Sequence, residues 1–155
     1  MRSESWYSQG GEMILKNFEV SGSIELQSGA LFWDLHNFAK FDGLELLPSD
    51  DAVVMRWSVP IKPNPWGCPQ NKFKGMELIF RDLLFLRLGP RDDELPMTED
   101  GCVAEIFKVD PKFQTDEPYM RQILHVDDSF RLAFQFQGGR VIEIESVTVE
   151  LVPKS

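Results

Sequence analysis

In "FRLAFQFQGGRVIEIESVTVELV", Phe130, Leu132, Phe134 and Phe136 share one parity, while Arg131, Gln135 and Gln137 share the other. Successive side chains of a strand point to opposite faces, so this alternation predicts a strand with one buried side. Gly138 and Gly139 then supply a turn that tolerates positive φ, and a second extended run follows, so residues 130–137 and 140–152 read as a β-hairpin. On the return limb Ile142 and Ile144 fall on one parity and Val147, Val149 and Leu151 on the other. A uniform strand cannot bury both sets on a single face, so a bulge near Glu145 and Ser146 is expected.

The middle of the chain repeats the layout. Met76, Leu78 and Phe80 alternate after Gly75, Arg81 and Asp82 interrupt, and apolar residues resume from Leu83 until Gly89 and Pro90, which gives two strands or one bent strand. Apolar runs on either side of Pro48, Ser49, Asp50 and Asp51 predict a hairpin over residues 41–59, with a turn whose proline presets φ and whose aspartates cap backbone amides. Val20, Ile24 and Leu26 add a further extended run.

Helical spacing is weaker. Ser28 is placed to cap "GALFWDLHNFAKF", with Leu31, Leu35 and Phe38 on one face, but Phe32, Trp33 and Phe41 fit a strand followed by a turn equally well. "TEDGCVAEIF" reads as a short helix, as does "DEPYMRQILHV", where Asp116 caps and Tyr119, Ile123 and Val126 recur at helical spacing. The pattern as a whole predicts one mainly β, antiparallel domain over residues 13–155, a sandwich or a partly open barrel with one or two short helices. Residues 1–12, polar and glycine-containing, read as a flexible tail.

Composition supports a packed domain. A chain of 155 residues, 43% hydrophobic with twelve phenylalanines, fills a core without a staple, burying about 70% of its unfolded surface. Its two cysteines, Cys68 and Cys102, have no metal-ligand spacing and read as free thiols, so neither metal nor cofactor is expected and a reducing, cytoplasmic setting is favoured. No apolar run approaches the roughly 20 residues needed to cross a bilayer, so no membrane role is expected.

The net charge of −9 comes from scattered basic residues and grouped acids. Binding nucleic acid requires neutralising phosphates, which excludes that partner. The densest group, "RDDELPMTEDG", carries Asp92, Asp93, Glu94, Glu99 and Asp100. It lacks the D-x-[DN]-x-[DN]-G spacing of a calcium loop, and it reads as a solvated loop, as an acidic surface for a basic protein, or as a looser oxygen-ligated cation site on Asp92, Asp93, Glu99 and Asp100.

Catalytic fingerprints are missing: the chain has no G-x-S-x-G elbow, no phosphate loop, no dinucleotide motif and no H-E-x-x-H. His36 has Asp34 two residues before it, and His125 precedes Asp127 and Asp128, but no nucleophile stands beside either histidine in sequence. Aromatic residues carry the remaining chemistry. Trp33 and Trp57, on extended runs, line either a core or a pocket for a small apolar ligand. Trp66, in the proline-rich "IKPNPWGCPQN", is either a contact residue or a lid, and the lid reading seats it inward against Phe73 and Met76. The leading expectation is a non-enzymatic protein-binding module whose surface comprises Trp33, Trp57, Trp66 and the five acids. The alternatives are a small-molecule binder with an apolar interior and an enzyme with two converging carboxylates.

Overall fold

The alternating runs become strands of a strongly coiled antiparallel sheet. The computed structural model describes residues 13–59, 73–111 and 130–155. The main sheet has the order β5-β6-β7-β10-β9-β8, built from β5 (Lys40–Leu47), β6 (Ala52–Ser58), β7 (Gly75–Leu88), β8 (Val103–Val109), β9 (Arg131–Phe136) and β10 (Val141–Lys154), and it curls into a half-barrel. The short β1 (Ile14–Lys16) lies parallel to β10. A smaller antiparallel sheet holds β2 (Glu19–Val20), β3 (Glu25–Ser28) and β4 (Leu31–Asp34).

The C-terminal hairpin forms as the alternation predicts. β9 and β10 pair from Gln135 and Val141 to Leu132 and Ile144, with Phe130, Leu132, Phe134 and Phe136 buried. The register between β10 and β7 shifts between Glu145 and Ser146, where Leu84 of β7 is passed over, and Ile142, Ile144, Val149 and Leu151 are all buried. The bulge also divides the sheet: β9 lies beside β10 up to Ile144, and β1 takes that side from Thr148 onward. Further irregularities fall between Phe41 and Gly43 on β5 and between Val103 and Glu105 on β8. Each extra residue bends its strand and adds twist, which curls the sheet into a half-barrel.

β7 is one bent strand, with Asp82 at φ 59° where the alternation breaks. The amides of Asp82 and Leu83 donate to Asp51 O, which ties the bend to the β5–β6 turn. That turn is a 3-10 segment, Pro48–Asp50, inside the hairpin expected over residues 41–59.

The helix considered after Ser28 does not form. β4 and a run of turns occupy that stretch, because Leu26 and Trp33 face each other across the β3–β4 ladder and are both fully buried, an arrangement that strand spacing alone provides. In "TEDGCVAEIF" only a 3-10 segment, Met97–Gly101, forms before β8, where the irregularity between Val103 and Glu105 lets both Val103 and Ile106 face the core. The predicted helix around Tyr119 and the tail of residues 1–12 lie outside the described residues. No helix among the described residues is long and apolar enough to cross a membrane.

One apolar cluster joins both sheets, running from Met13, Phe18, Leu26, Trp33 and Leu35 to Met55, Leu78, Phe80, Phe134 and Leu151. Tilted ring pairs stiffen it: Phe41 lies 4.8 Å from Phe136 and 5.0 Å from Trp57, centroid to centroid.

Candidate interaction surface

The connection from β7 to β8 carries all five predicted acids and folds against the β9–β10 turn. Asp92 donates its amide to Gly138 O at 2.8 Å, Gly138 donates to Glu99 O at 3.2 Å, and Gln137 donates to Cys102 O at 2.8 Å. The approach is close enough to require glycine. Gly139 has φ 88°, and a Cβ there would sit 3.0 Å from Asp92 Cβ, while a Cβ on Gly138 would collide with the Asp100 carboxylate. The two glycines therefore make the hairpin turn and also seat the acidic loop.

Arg91 organises the loop from within. Its Nε donates to Asp100 Oδ2 at 2.8 Å, its Nη2 donates to Leu95 O at 2.8 Å, and its Nη1 lies 3.8 Å from Asp93 Oδ1. The hydrogen bond to Asp100 raises the guanidinium pKa, so the cation is permanent. Asp92 Oδ1 accepts from the Glu94 amide at 2.9 Å and Asp92 O from the Leu95 amide at 3.1 Å, a turn closed twice. Five carboxylates against one guanidinium leave the loop net negative. Asp92, Asp93 and Glu94 are exposed and Glu99 and Asp100 half-buried; the Asp93 side chain is 99% exposed. Between the acids, Met97 is 77% exposed and Leu95 36%. These two apolar residues were not among those singled out from sequence. Their signal was present, since an apolar pair flanking Pro96 inside an acidic run has no strand or helix to bury it.

Of the predicted tryptophans, Trp33 and Trp57 do not join this surface. Trp33 and Trp57 are buried in the core, Trp33 5.9 Å from Phe73 and Trp57 5.9 Å from Phe134, because both sit on strand positions facing the interior. Neither indole Nε1 has a hydrogen-bond partner among the described residues. Trp66 lies outside the described residues, as do Cys68 and His125.

His36 and Cys102 come together in space, with Nδ1 3.4 Å from Sγ, but not as a base and nucleophile. The same Nδ1 lies 2.8 Å from Val103 O, and a carbonyl only accepts, so Nδ1 carries the proton and has no lone pair for the thiol. Burial pushes the Cys102 pKa up, and Glu99 and Asp34 push it further, which disfavours the thiolate. Asp34 does not orient the imidazole through these contacts: Oδ1 accepts from the amides of His36 and Asn37, and Oδ2 from Asn37 Nδ2. One pair of carboxylates, Glu143 and Glu145, sits two residues apart on β10, where Arg131 donates to both at 3.0 and 3.2 Å and lies 3.5 Å over the Phe85 ring. No group of His, Cys, Asp and Glu among the described residues is arranged to hold a metal ion.

Comparison of the chain with protein-family models, with curated proteins and with solved structures finds no match.

Proposed function

We propose that this chain is a non-enzymatic protein-interaction module of the cytosol that binds a basic partner through the loop between β7 and β8. The observation that carries the reading is the pairing of exposed Met97 and Leu95 with exposed carboxylates on a loop that Arg91 and the Gly138–Gly139 turn hold in one shape. A surface of apolar anchors ringed by charge is what protein recognition uses, and a pre-shaped loop loses little entropy on binding. Acidic charge steers a basic partner to the site and makes the association sensitive to salt. The test is an amidated variant, with Asp92, Asp93 and Asp100 changed to Asn and Glu94 and Glu99 to Gln, titrated with a synthetic lysine- and valine-containing peptide. The reading expects binding to the natural chain and loss of it in the variant; equal affinity for both refutes it.

One observation favours a second reading, a small apolar ligand within the half-barrel. Two buried indole N–H donors, on Trp33 and Trp57, lack acceptors among the described residues, and a ligand oxygen entering the interior would satisfy them. Titration with a medium-chain fatty acid tests it: quenching or a shift of tryptophan emission that saturates supports the reading, and an unchanged spectrum removes it.

A further inference from the structure

Among the described residues, one of the two edges of the main sheet is covered and the other is open. On β8 the Ile106 amide donates to Ser23 O at 2.6 Å and Val103 O meets the His36 ring at 2.8 Å, so the small sheet and its flanking turns sit along that edge. β5 closes the opposite end of the strand order, and among the described residues it pairs only with β6 and no backbone group of residues 40–47 bonds outside that ladder. A strand edge with a free row of N–H and C=O groups is a template for another strand unless it is blunted. β5 contains no proline, its single basic residue is Lys40, and Leu46 is 53% exposed. The bulge at Asp42 and Gly43 interrupts the ladder only near the start of the strand.

We propose that the outer edge of β5, over residues 43–47, binds an extended segment of a basic partner protein by strand addition, the segment alternating apolar and basic side chains. The two faces of the edge dictate the alternation. Leu44 and Leu46 lie opposite the fully buried Met55 and Val53 and so share the core side, where an added strand would set apolar side chains beside them. Glu45 points to the other side, where it pairs with Arg56 at 2.7 Å, and basic side chains of the added strand would meet it there. Carboxylates also flank the ends of the strand. Asp50 and Asp51 follow β5, and the turn Met97–Gly101, last part of the acidic loop, abuts its start, with Gly101 against Lys40.

A second copy of this chain fits the edge poorly. Antiparallel self-pairing centred between Gly43 and Leu44 sets Asp42 against Glu45 across the two-fold, and each copy carries a net charge of −9. The inference rests on the reading of the chain as an interaction module, but it names different atoms, so the two can fail separately.

The probe is a synthetic peptide of alternating valine and lysine, matched in length to β5, followed by fluorescence anisotropy against the full chain. Three changes separate the outcomes. N-methylation of alternate peptide amides, on the edge facing β5, removes the ladder without altering the protein and is expected to weaken binding by about tenfold or more. Leu46→Lys places a charge on the edge and is expected to do the same. The amidated loop variant is expected to reduce affinity while leaving the penalty for N-methylation in place. If the N-methylated peptide binds as tightly as its parent, strand addition is overturned whatever the folding of Leu46→Lys. If both peptide forms bind the natural chain equally but not the amidated variant, the loop reading stands and the edge inference falls. Self-association of the chain that Leu46→Lys abolishes, with no peptide binding, would mean that the edge serves a second copy and would also overturn it.

Discussion

Arg91 reaches across the acidic loop to donate from Nε to Asp100 Oδ2 at 2.8 Å, while Nη2 of the same guanidinium holds Leu95 O at 2.8 Å. The loop's only arginine therefore serves shape rather than charge balance. Arg91→Gln removes both contacts while leaving the core untouched, so the melting temperature should stay nearly constant and the rate of limited proteolysis within residues 91–100 should rise. Cleavage at the natural rate would show that the loop owes its shape to the glycine seat alone.

That seat is open to its own test. Gly138→Ala drives a Cβ into the Asp100 carboxylate, and relieving the clash disturbs the Arg91 hydrogen bond or the hairpin turn. Overpacking of this kind costs about 1–3 kcal/mol. Denaturant unfolding should show that loss, and Gly138→Ala combined with Asp100→Ala should recover part of it.

Trp57 lies against Phe41 and Phe134 with its ring buried, so its truncation opens a cavity between β6 and β9. Trp57→Ala should destabilise the chain by about 3–5 kcal/mol. Equilibrium unfolding measures it, and a loss below about 1 kcal/mol would place the ring outside the supporting core.

Glu77 on β7 gives a pH dependence with a definite sign. Burial opposes its charged form, but hydrogen bonds from Arg56 and Lys154 outweigh burial and hold its pKa below the ordinary value. The unfolded chain then binds the proton more readily, so the stabilisation is complete above the ordinary glutamate range and is lost as the pH falls through the depressed pKa. Stability of the natural chain should drop on acidification more steeply than that of Glu77→Gln, and equal slopes would contradict the assignment.

How far the fold could be read in advance depended on parity. Phe130, Leu132, Phe134 and Phe136 alternate without exception, and the mismatch between Ile144 and Val149 located the bulge at Glu145 and Ser146. The segment after Ser28 was ambiguous because Leu31 and Leu35 fit a helical face while Trp33 fits a strand, and only its pairing with Leu26 decides between them. On the candidate surface, acid density marked residues 92–100, but Arg91's role depends on contacts within the folded loop and the glycine seat on a hairpin distant in sequence. Strand periodicity also left Trp33 and Trp57 open to either pocket or core, and the two rings lie in the core.

If the loop carboxylates between β7 and β8 form the working surface, binding must weaken as salt rises. The dissociation constant of the valine–lysine peptide should be measured from about 50 mM to about 300 mM salt, a range over which exposed charges become strongly screened. For the natural chain it should rise about tenfold, and for the chain with Asp92, Asp93, Glu94, Glu99 and Asp100 amidated it should be weak and nearly flat. Equal affinity and an equal salt slope for the two chains would mean that these five carboxylates are not the binding surface.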